Sequence, residues 1–278
     1  MFLLISKLYG KIYAFFHFNL KINLRGFGWL LRNIKNDFNL YIKNKIFWFD
    51  HRVADNYALL INGEFNEPET HYFIDNLLKI NKNYKFRFID IGANIGEFVF
   101  DYGDNEQIDE LIAFEPQEIQ GDVIVKNINL NGFTTSKLIR KAVYNKVGTV
   151  RFNREVDNQT SSGIREAQNE NFIDVPCTTI DHEFLNSTTM YNIILIDAEG
   201  AELEIIKGGN EFIKQNLPVI IFEYNHVSRT FFNLDEIRSE LGVDYEIYRL
   251  NSKGKLDKNM NDTWNMVAYN KKSNLINA

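Results

Sequence analysis

Residues 85–96 read KFRFIDIGANIG, and the fold prediction depends most on this stretch. Its first part, Lys85–Ile91, is an apolar run of strand length, and a glycine-rich turn and a helix-compatible segment follow it directly. Further short apolar runs alternate with helical patterns toward the C terminus, which is typical of a mainly parallel sheet with helices on its faces. The sequence therefore predicts an α/β fold.

The other predicted elements lie downstream of this strand. The predicted strands are Leu111–Phe114, Leu138–Val143, Thr149–Phe152, Phe172–Cys177, Tyr191–Ile196 and Pro218–Phe222, and a helix is predicted over Ala201–Lys207. Asn145–Gly148 predicts a hairpin turn between the second and third of these strands. At the C-terminal end, Tyr245–Leu250 and Met266–Tyr269 predict an antiparallel hairpin.

Acidic residues follow four of the predicted strands. They are Asp90, Glu115, Asp197 and Glu223. In an open parallel sheet, ligands bind in the crevice beyond the carboxyl ends of the strands. We therefore expect these four side chains to face a common site.

The loop after the first strand, residues 90–96, predicts a nucleoside cofactor. Glycines allow a sharp turn, and Glu115 at the next strand end is placed to accept hydrogen bonds from ribose hydroxyls. A dinucleotide favours Gly-x-Gly-x-x-Gly, whose middle glycine lets the backbone touch the pyrophosphate. Here Asn94 holds the middle position and Gly96 comes one residue early. The pattern thus favours S-adenosylmethionine, with Asp90 attracting its ammonium group, over an NAD-dependent oxidoreductase.

Two residues are candidates for the general base that a methylated hydroxyl would need. Asp197 ends a strand beside the crevice, and His226 follows the last parallel strand and has a suitable ordinary pKa. Alternatively, Asp197, Glu199 and Glu223 could bind a hard cation such as Mg²⁺, which would orient acceptor hydroxyls. Glu199 and Glu223 are thus candidates for either substrate or metal binding.

Five segments together resemble the FkbM family of methyltransferases. They are FIDIGANIGEF (88–98), IAFEP (112–116), VPCTTID (175–181), LIDAEGAELEIIKGG (195–209) and VIIFE (219–223). The most specific piece is Asp197–Glu202, whereas the glycine loop is the least specific. Two positions depart from the usual pattern: Leu195 and Ala198 stand where relatives more often have Lys and Val.

The resemblance implies a class I, Rossmann-like fold and S-adenosylmethionine-dependent O-methylation, often of sugars in surface polysaccharides or secondary metabolites. By position it implies that the cofactor is lined by Asp90, Gly92, Asn94, Gly96 and Glu115, and we place Ala142 with them. A catalytically inactive binding module in a biosynthetic complex is the non-enzymatic alternative, although four intact strand-end acids speak against it.

Charge is divided unevenly along the 278 residues. Residues 1–49 hold eight of the 31 basic residues and one of the 37 acidic residues, so this segment is basic although the net charge is −6. We predict a basic amphipathic helical extension over residues 1–49 and a methyltransferase domain over residues 50–278, with its core at 85–270. The extension has too many charges for a transmembrane span, since its longest uncharged run is Ile12–Leu20.

The remaining expectations concern location and partners. The single cysteine, Cys177, excludes an intrachain disulfide framework and favours a reducing compartment, so we expect a cytoplasmic protein. The acidic balance argues against a nucleic-acid partner. We expect a small-molecule or glycan acceptor. Residues 1–49 could lie on the inner face of an anionic membrane, pack on the domain or form a homodimer contact.

Overall fold

The computed structural model describes residues 36–53, 56, 59, 67–153, 163–164, 172–187, 191–260 and 265–276. The strands are β1 (Phe38–Ile42), β2 (Lys45–Phe49), β3 (Phe86–Ile91), β4 (Ile108–Phe114), β5 (Ser136–Ile139), β6 (Ala142–Val143), β7 (Gly148–Asn153), β8 (Gly163–Ile164), β9 (Phe172–Thr178), β10 (Tyr191–Ile196), β11 (Val219–Glu223), β12 (Tyr245–Leu250), β13 (Leu256–Asp257) and β14 (Asn265–Asn270). The helices are α1 (Pro68–Ile80), α2 (Glu97–Tyr102), α3 (Glu118–Asn131), α4 (Ile180–Phe184), α5 (Glu202–Lys207), α6 (Asn210–Asn216) and α7 (Leu234–Leu241), and a 3₁₀ turn spans Ser228–Thr230.

Eight of these strands form the central sheet, in the spatial order β13-β12-β14-β11-β10-β3-β4-β5. The strands from β11 to β5 are parallel to one another, whereas β14 is antiparallel to both β11 and β12. The predicted mainly parallel sheet and the predicted C-terminal antiparallel hairpin are therefore both confirmed.

The central strands are apolar throughout because both faces of the sheet are covered. In β10, Ile194 and Ile196 pack in the cluster that contains α4 to α7, while Ile193 and Leu195 pack in the cluster that contains α1 to α3. A strand buried on both faces is a continuous apolar run rather than an alternating one. The helices thus lie on both faces, as predicted.

The predicted strand Leu138–Val143 is wrong as one unit, because the chain leaves the central sheet after β5. At the break, the Arg140 guanidinium donates to the carbonyl of Glu118 and to the carboxylate of Asp122, both in α3. The following residues enter a second sheet of order β6-β9-β7-β8. Val143 of β6 and Ile164 of β8 pack with Ile139 of β5 in one apolar cluster.

The predicted hairpin turn at Asn145–Gly148 is also wrong, because β6 and β7 do not pair with each other. Each pairs with β9, on opposite sides, β6 parallel and β7 antiparallel. The reason is a small apolar core to which all three strands contribute; it contains Ala142, Val150, Phe152, Val175 and Cys177. Cys177 is buried there.

The prediction of helix over residues 1–49 is wrong for residues 38–49, which form the β1–β2 hairpin. Its two-residue turn, Lys43-Asn44, has φ angles of 49° and 64°, and positive φ at both positions is what a tight hairpin turn requires. Phe47 and Phe49 alternate with half-buried residues and pack into the domain core. Residues 1–35 lie outside the described residues.

The hairpin is fixed to the domain by polar contacts as well. The backbone N–H groups of Ile46 and Trp48 donate to the side-chain oxygens of Asn131 and Asn127, so α3 covers part of the β2 edge. Lys43 and Lys45 form ion pairs with Asp101 and Asp104. No helix among the described residues is long and apolar enough to span a membrane.

Candidate active site

The four strand-end acids lie along one edge of the central sheet. Asp90 is in β3, Glu115 directly follows β4, Asp197 directly follows β10 and Glu223 ends β11. Because these four strands are parallel neighbours, their carboxyl ends meet at the same edge. The structure therefore brings together the acids that the sequence predicted to share a site.

The glycine loop crosses this edge in close contact with the end of β10. Gly92, Asn94 and Gly96 have φ angles of 85°, 47° and 77°, all in the left-handed region. A Cβ atom on Gly92 would overlap the backbone carbonyl oxygen of Asp197. The N–H of Asp197 also donates to the carbonyl of Ile91 at 2.9 Å. Glycine at position 92 is thus what allows the loop to lie against β10.

Glu115 is buried, and both of its carboxylate oxygens accept backbone hydrogen bonds. The N–H of Asn94 donates to Oε2 at 3.0 Å, and the N–H of Gln117 donates to Oε1 at 2.8 Å. These bonds hold the left-handed Asn94 against the end of β4. Glu115 therefore fixes the shape of the loop.

Two adjoining cavities open at this edge. The first, which we call the mixed cavity, has apolar, acidic and basic lining residues, among them Phe114, Glu115, Lys141, Ala142 and Ile164. The second, the acidic cavity, has a volume of about 470 Å³ and is lined by seven carboxylates: Glu67, Glu69, Asp90, Glu97, Asp197, Glu199 and Glu223. Gly92, Asn94, Asp197 and Glu199 line both, so the two cavities adjoin along the glycine loop.

All the ionisable side chains that line the acidic cavity are carboxylates. None of the residues that line it in the described structure is basic. Burial, and then the nearby charge of Glu97, raises the pKa of Asp90 to about 8. Burial and the charge of Glu199 raise the pKa of Glu223 to about 8, and burial with Glu223 raises the pKa of Asp197 well above its ordinary value.

Two of these acids each keep a buried oxygen without a hydrogen-bond partner in the described part of the chain. They are Asp90, at Oδ2, and Glu223, at Oε2. Asp90 is only 2% exposed, and Glu223 is only 5% exposed. An unpaired buried carboxylate oxygen is costly, and a cation in the cavity would offset that cost.

Comparison with known families shows which class of protein has these features. The family described as "methyltransferase FkbM domain" matches residues 90–253, which is more than half of the chain. The chain belongs to the FkbM methyltransferase family. The matched segment begins at Asp90 and contains the glycine loop and all four strand-end acids, whereas the β1–β2 hairpin and Glu67 precede it.

Solved structures with a similar fold include several methyltransferases. The FkbM methyltransferase of Methylobacillus flagellatus is 18% identical with a TM-score of 0.46, and the match covers 78% of this chain and 56% of that one. A putative transferase of Pyrococcus horikoshii is 14% identical with a TM-score of 0.47, covering 94% and 81%. TYW2 of M. jannaschii, in complex with AdoMet, is 11% identical with a TM-score of 0.42, covering 84% of each chain. No curated protein matches.

The central sheet of this FkbM-family protein is mostly parallel and is flanked by helices. Its most specific sequence motif, Asp197–Glu202, forms a turn after β10. Glu202 is fully buried, and its Oε1 accepts hydrogen bonds from the N–H groups of Ala198 and Gly200, both at 3.1 Å. This contact closes the turn and places Glu199, with a φ of 52°, on the wall of both cavities. Glu202 thus shapes the site, and Glu199 lines it.

His226 is separated from the other candidates. Its side chain is exposed, and it is not among the residues that line the mixed or the acidic cavity. The nearby Asn225 is buried instead, and it donates to Oε1 of Glu223 at 2.6 Å. The structure therefore brings Asp197, and not His226, to the strand-end cavities.

Glu67 is a site residue that the sequence did not predict. It caps the N terminus of α1 with a φ of 53°, and its Oε2 accepts a hydrogen bond from the buried Asn265 side chain at 2.8 Å. Burial raises its pKa. Pro68 marks a helix start in the sequence, but that signal does not show that the helix begins beside Asp197.

Proposed function

We propose that this protein is an S-adenosylmethionine-dependent O-methyltransferase that methylates a sugar hydroxyl in a surface polysaccharide, a glycolipid or a related metabolite. The observation that carries the proposal is the contrast between the two adjoining cavities, one mixed and one lined by seven carboxylates. S-adenosylmethionine joins a neutral nucleoside to a methionine part with a sulfonium, an ammonium and a carboxylate group, so its net charge is positive. The nucleoside suits the mixed cavity with its apolar lining, and the two cationic groups suit the acidic cavity.

The residues at the edge fit this cofactor. The buried, unpaired Oδ2 of Asp90 suits an ammonium group, while Glu115, Ala142 and Phe114 line the cavity that would take the nucleoside. A dinucleotide would instead bring a pyrophosphate to a cavity without a basic lining residue. Its two negative charges would face the carboxylates, which disfavours the oxidoreductase alternative.

Bound S-adenosylmethionine supplies an electrophilic methyl group. The protein's own part is to align the acceptor and to remove its proton. Asp197 lines both cavities, and its raised pKa makes its carboxylate a stronger base than an ordinary aspartate. The other carboxylates of the acidic cavity accept hydrogen bonds, so they suit an acceptor with several hydroxyl groups.

Methyl transfer to defined acceptors tests the proposal. The protein is incubated with methyl-labelled S-adenosylmethionine and a panel of oligosaccharides, and labelled sugars are identified by mass spectrometry after hydrolysis. We expect label in an ether that survives mild alkali. Label that is released by mild alkali would indicate a carboxyl ester, and a folded protein that labels no hydroxyl compound would contradict the proposal.

The two candidate bases are separated by paired variants. Asp197→Asn should lower kcat by about 10²–10⁴-fold, the usual contribution of a general base, while the affinity for S-adenosylmethionine changes only a few-fold. His226→Ala should leave kcat almost unchanged because the side chain is exposed. A loss of activity in His226→Ala with normal kcat in Asp197→Asn would assign the base to His226.

We also propose that the protein is cytoplasmic and that the basic segment before the β1–β2 hairpin contacts the inner face of the membrane. Lys43 and Lys45 are held in ion pairs with the domain, so this contact would depend on the six basic residues before them. Liposome flotation with and without anionic lipid tests it. No flotation with either lipid composition would assign the segment to packing on the domain or to a dimer contact.

A further inference from the structure

Three carboxylates of the acidic cavity converge more closely than the others. One carboxylate oxygen from each of three residues lies within 4.8 Å of the other two oxygens; the residues are Asp197, Glu199 and Glu223. They come from three separate points of the backbone: the end of β10, the turn after it and the end of β11. Such a spacing is compatible with three oxygen atoms around one ion at the metal–oxygen distances of Mg²⁺ or Ca²⁺, about 2.0–2.6 Å.

Glu223 supplies an independent sign that this cluster has a ligand. Its Oε1 accepts a hydrogen bond from Asn225 at 2.6 Å, and Asn225 is itself fixed because its Oδ1 accepts from the N–H groups of Val227 and Ser228. Its Oε2 is buried and has no hydrogen-bond partner among the described residues. The residue is only 5% exposed and lines the acidic cavity. One oxygen is therefore anchored, and the other is buried without a described partner in a residue that lines the cavity.

The surroundings favour a cation with more than one charge. The other ionisable groups that line this cavity are Glu67, Glu69, Asp90 and Glu97, all acidic. Glu199 is positioned by the turn that Glu202 closes, so the cluster does not depend on a flexible side chain alone. Since the three converging ligands are oxygens, a hard cation is preferred over a soft one.

We propose that Asp197, Glu199 and Glu223 form a binding site for a divalent hard cation, Mg²⁺ or Mn²⁺. Mg²⁺ takes six oxygen ligands and keeps several waters, so three protein ligands leave positions that vicinal hydroxyls of an acceptor can occupy. The role of the ion in orienting the acceptor rests on the proposed function. Binding of the ion does not, and it is measurable without any acceptor or cofactor. With the ion bound, its orienting role replaces the role of Asp197 as general base, because a carboxylate that coordinates a cation is a weaker base.

Mn²⁺ binding to the full chain tests the site. Isothermal titration and the loss of the free Mn²⁺ signal in electron paramagnetic resonance are measured without S-adenosylmethionine. We expect one site per chain, competition by Mg²⁺, and a rise in melting temperature on binding. Glu223→Gln should reduce the affinity by about 10-fold or more and lower the rise in melting temperature at the same Mn²⁺ concentration.

A matched control removes the same charge elsewhere. Glu211 lies on the exposed side of α6, and its side chain forms an ion pair with the exposed Lys214. The Mn²⁺ affinity of Glu211→Gln should therefore equal that of the wild type. If Glu223→Gln does not fold, Glu199→Gln replaces it, because that residue is half-buried and sits in a turn. A folded protein that binds no Mn²⁺, or one whose affinity is the same in the cluster variants and the control, would overturn the site.

The outcome is separable from that of the proposed function. S-adenosylmethionine is titrated in parallel in the presence of a chelator. Cofactor binding without a Mn²⁺ site would overturn this inference and leave the methyltransferase proposal intact. A Mn²⁺ site in a protein that does not bind S-adenosylmethionine would support the inference and contradict the proposed cofactor.

Discussion

Glu115 and Glu223 are the same residue type at equivalent strand ends of one sheet, yet their surroundings differ. Both oxygens of Glu115 accept backbone hydrogen bonds, from Asn94 and Gln117. Glu223 has one oxygen bonded to Asn225 and one that is buried without a partner in the described residues. The first carboxylate is satisfied within the fold, whereas the second is fully satisfied only when something enters the cavity.

The same difference separates the two cavities. The mixed cavity beside β4 contains Lys141 and apolar side chains, and the acidic cavity beside β10 and β11 contains seven carboxylates without a basic residue among its described lining. A strand-end acid therefore has no fixed role. Glu115 fixes the loop beside the mixed cavity through its hydrogen bonds. Glu223 keeps a buried oxygen that a cation in the acidic cavity would satisfy.

The largest effect is expected where the two sides meet, at Gly92. Gly92→Ala combines backbone strain at φ 85° with an overlap of its Cβ and the carbonyl oxygen of Asp197. We expect a loss of about 3 kcal/mol or more in the free energy of unfolding, measured by urea denaturation. Gly132→Ala is the matched control, since Gly132 has a φ of 66° but no atom within 4 Å of a Cβ. It should lose only the strain, about 1–2 kcal/mol. Equal losses would show that the contact of the loop with β10 is loose.

The next largest effect separates the two glutamates directly. Glu115→Gln replaces one accepting oxygen by an NH₂ group that faces a backbone donor, so we expect it to lower the free energy of unfolding by about 1–3 kcal/mol. Glu223→Gln keeps an acceptor and a donor beside Asn225 and removes a buried charge. In the absence of added cation it should be neutral or stabilising. If Glu223→Gln destabilises the protein as much as Glu115→Gln does, the two acids have the same structural role.

The smallest effect, counted per pH unit, is the change of the free energy of unfolding with pH. The pKa of Asp90 in the folded protein, about 8, exceeds its ordinary value of 3.8. The folded state therefore holds a proton that the unfolded chain has lost, and the free energy of unfolding falls as pH rises between these values. One such group contributes at most about 1.4 kcal/mol per pH unit. Urea denaturation between about pH 5 and pH 8 should show this fall, and Asp90→Asn should make it shallower. An unchanged slope in the variant would assign the fall to other groups.

Much of the sheet and its functional edge could be predicted from the sequence. Apolar runs such as Tyr191–Ile196 are continuous because both faces of the sheet are buried, and the acids that follow them mark the carboxyl edge. The glycine loop could also be predicted, because glycines allow a sharp turn. Gly92 and Gly96 both have a positive φ in the structure.

Features that depend on distant contacts could not be predicted in this way. The break after Ile139 depends on bonds between Arg140 and α3, and the position of Glu67 depends on its contact with Asn265. The loop-fixing role of Glu115 required the distance to the Asn94 amide. The β1–β2 hairpin did have a local signal, since two alternating apolar runs flank Lys43-Asn44, but the basic charge of the segment favoured a helix interpretation.

The central claim, that this edge binds S-adenosylmethionine, is tested most directly by isothermal titration of the cofactor into the wild type and Asp90→Asn. We predict micromolar binding at one site per chain, tenfold or greater weakening in Asp90→Asn, which corresponds to about 1–3 kcal/mol, and no heat with NAD. Glu115→Ala should also weaken binding on this scale, through the loop. A folded wild-type protein that binds NAD, or that binds no S-adenosylmethionine, would contradict the account.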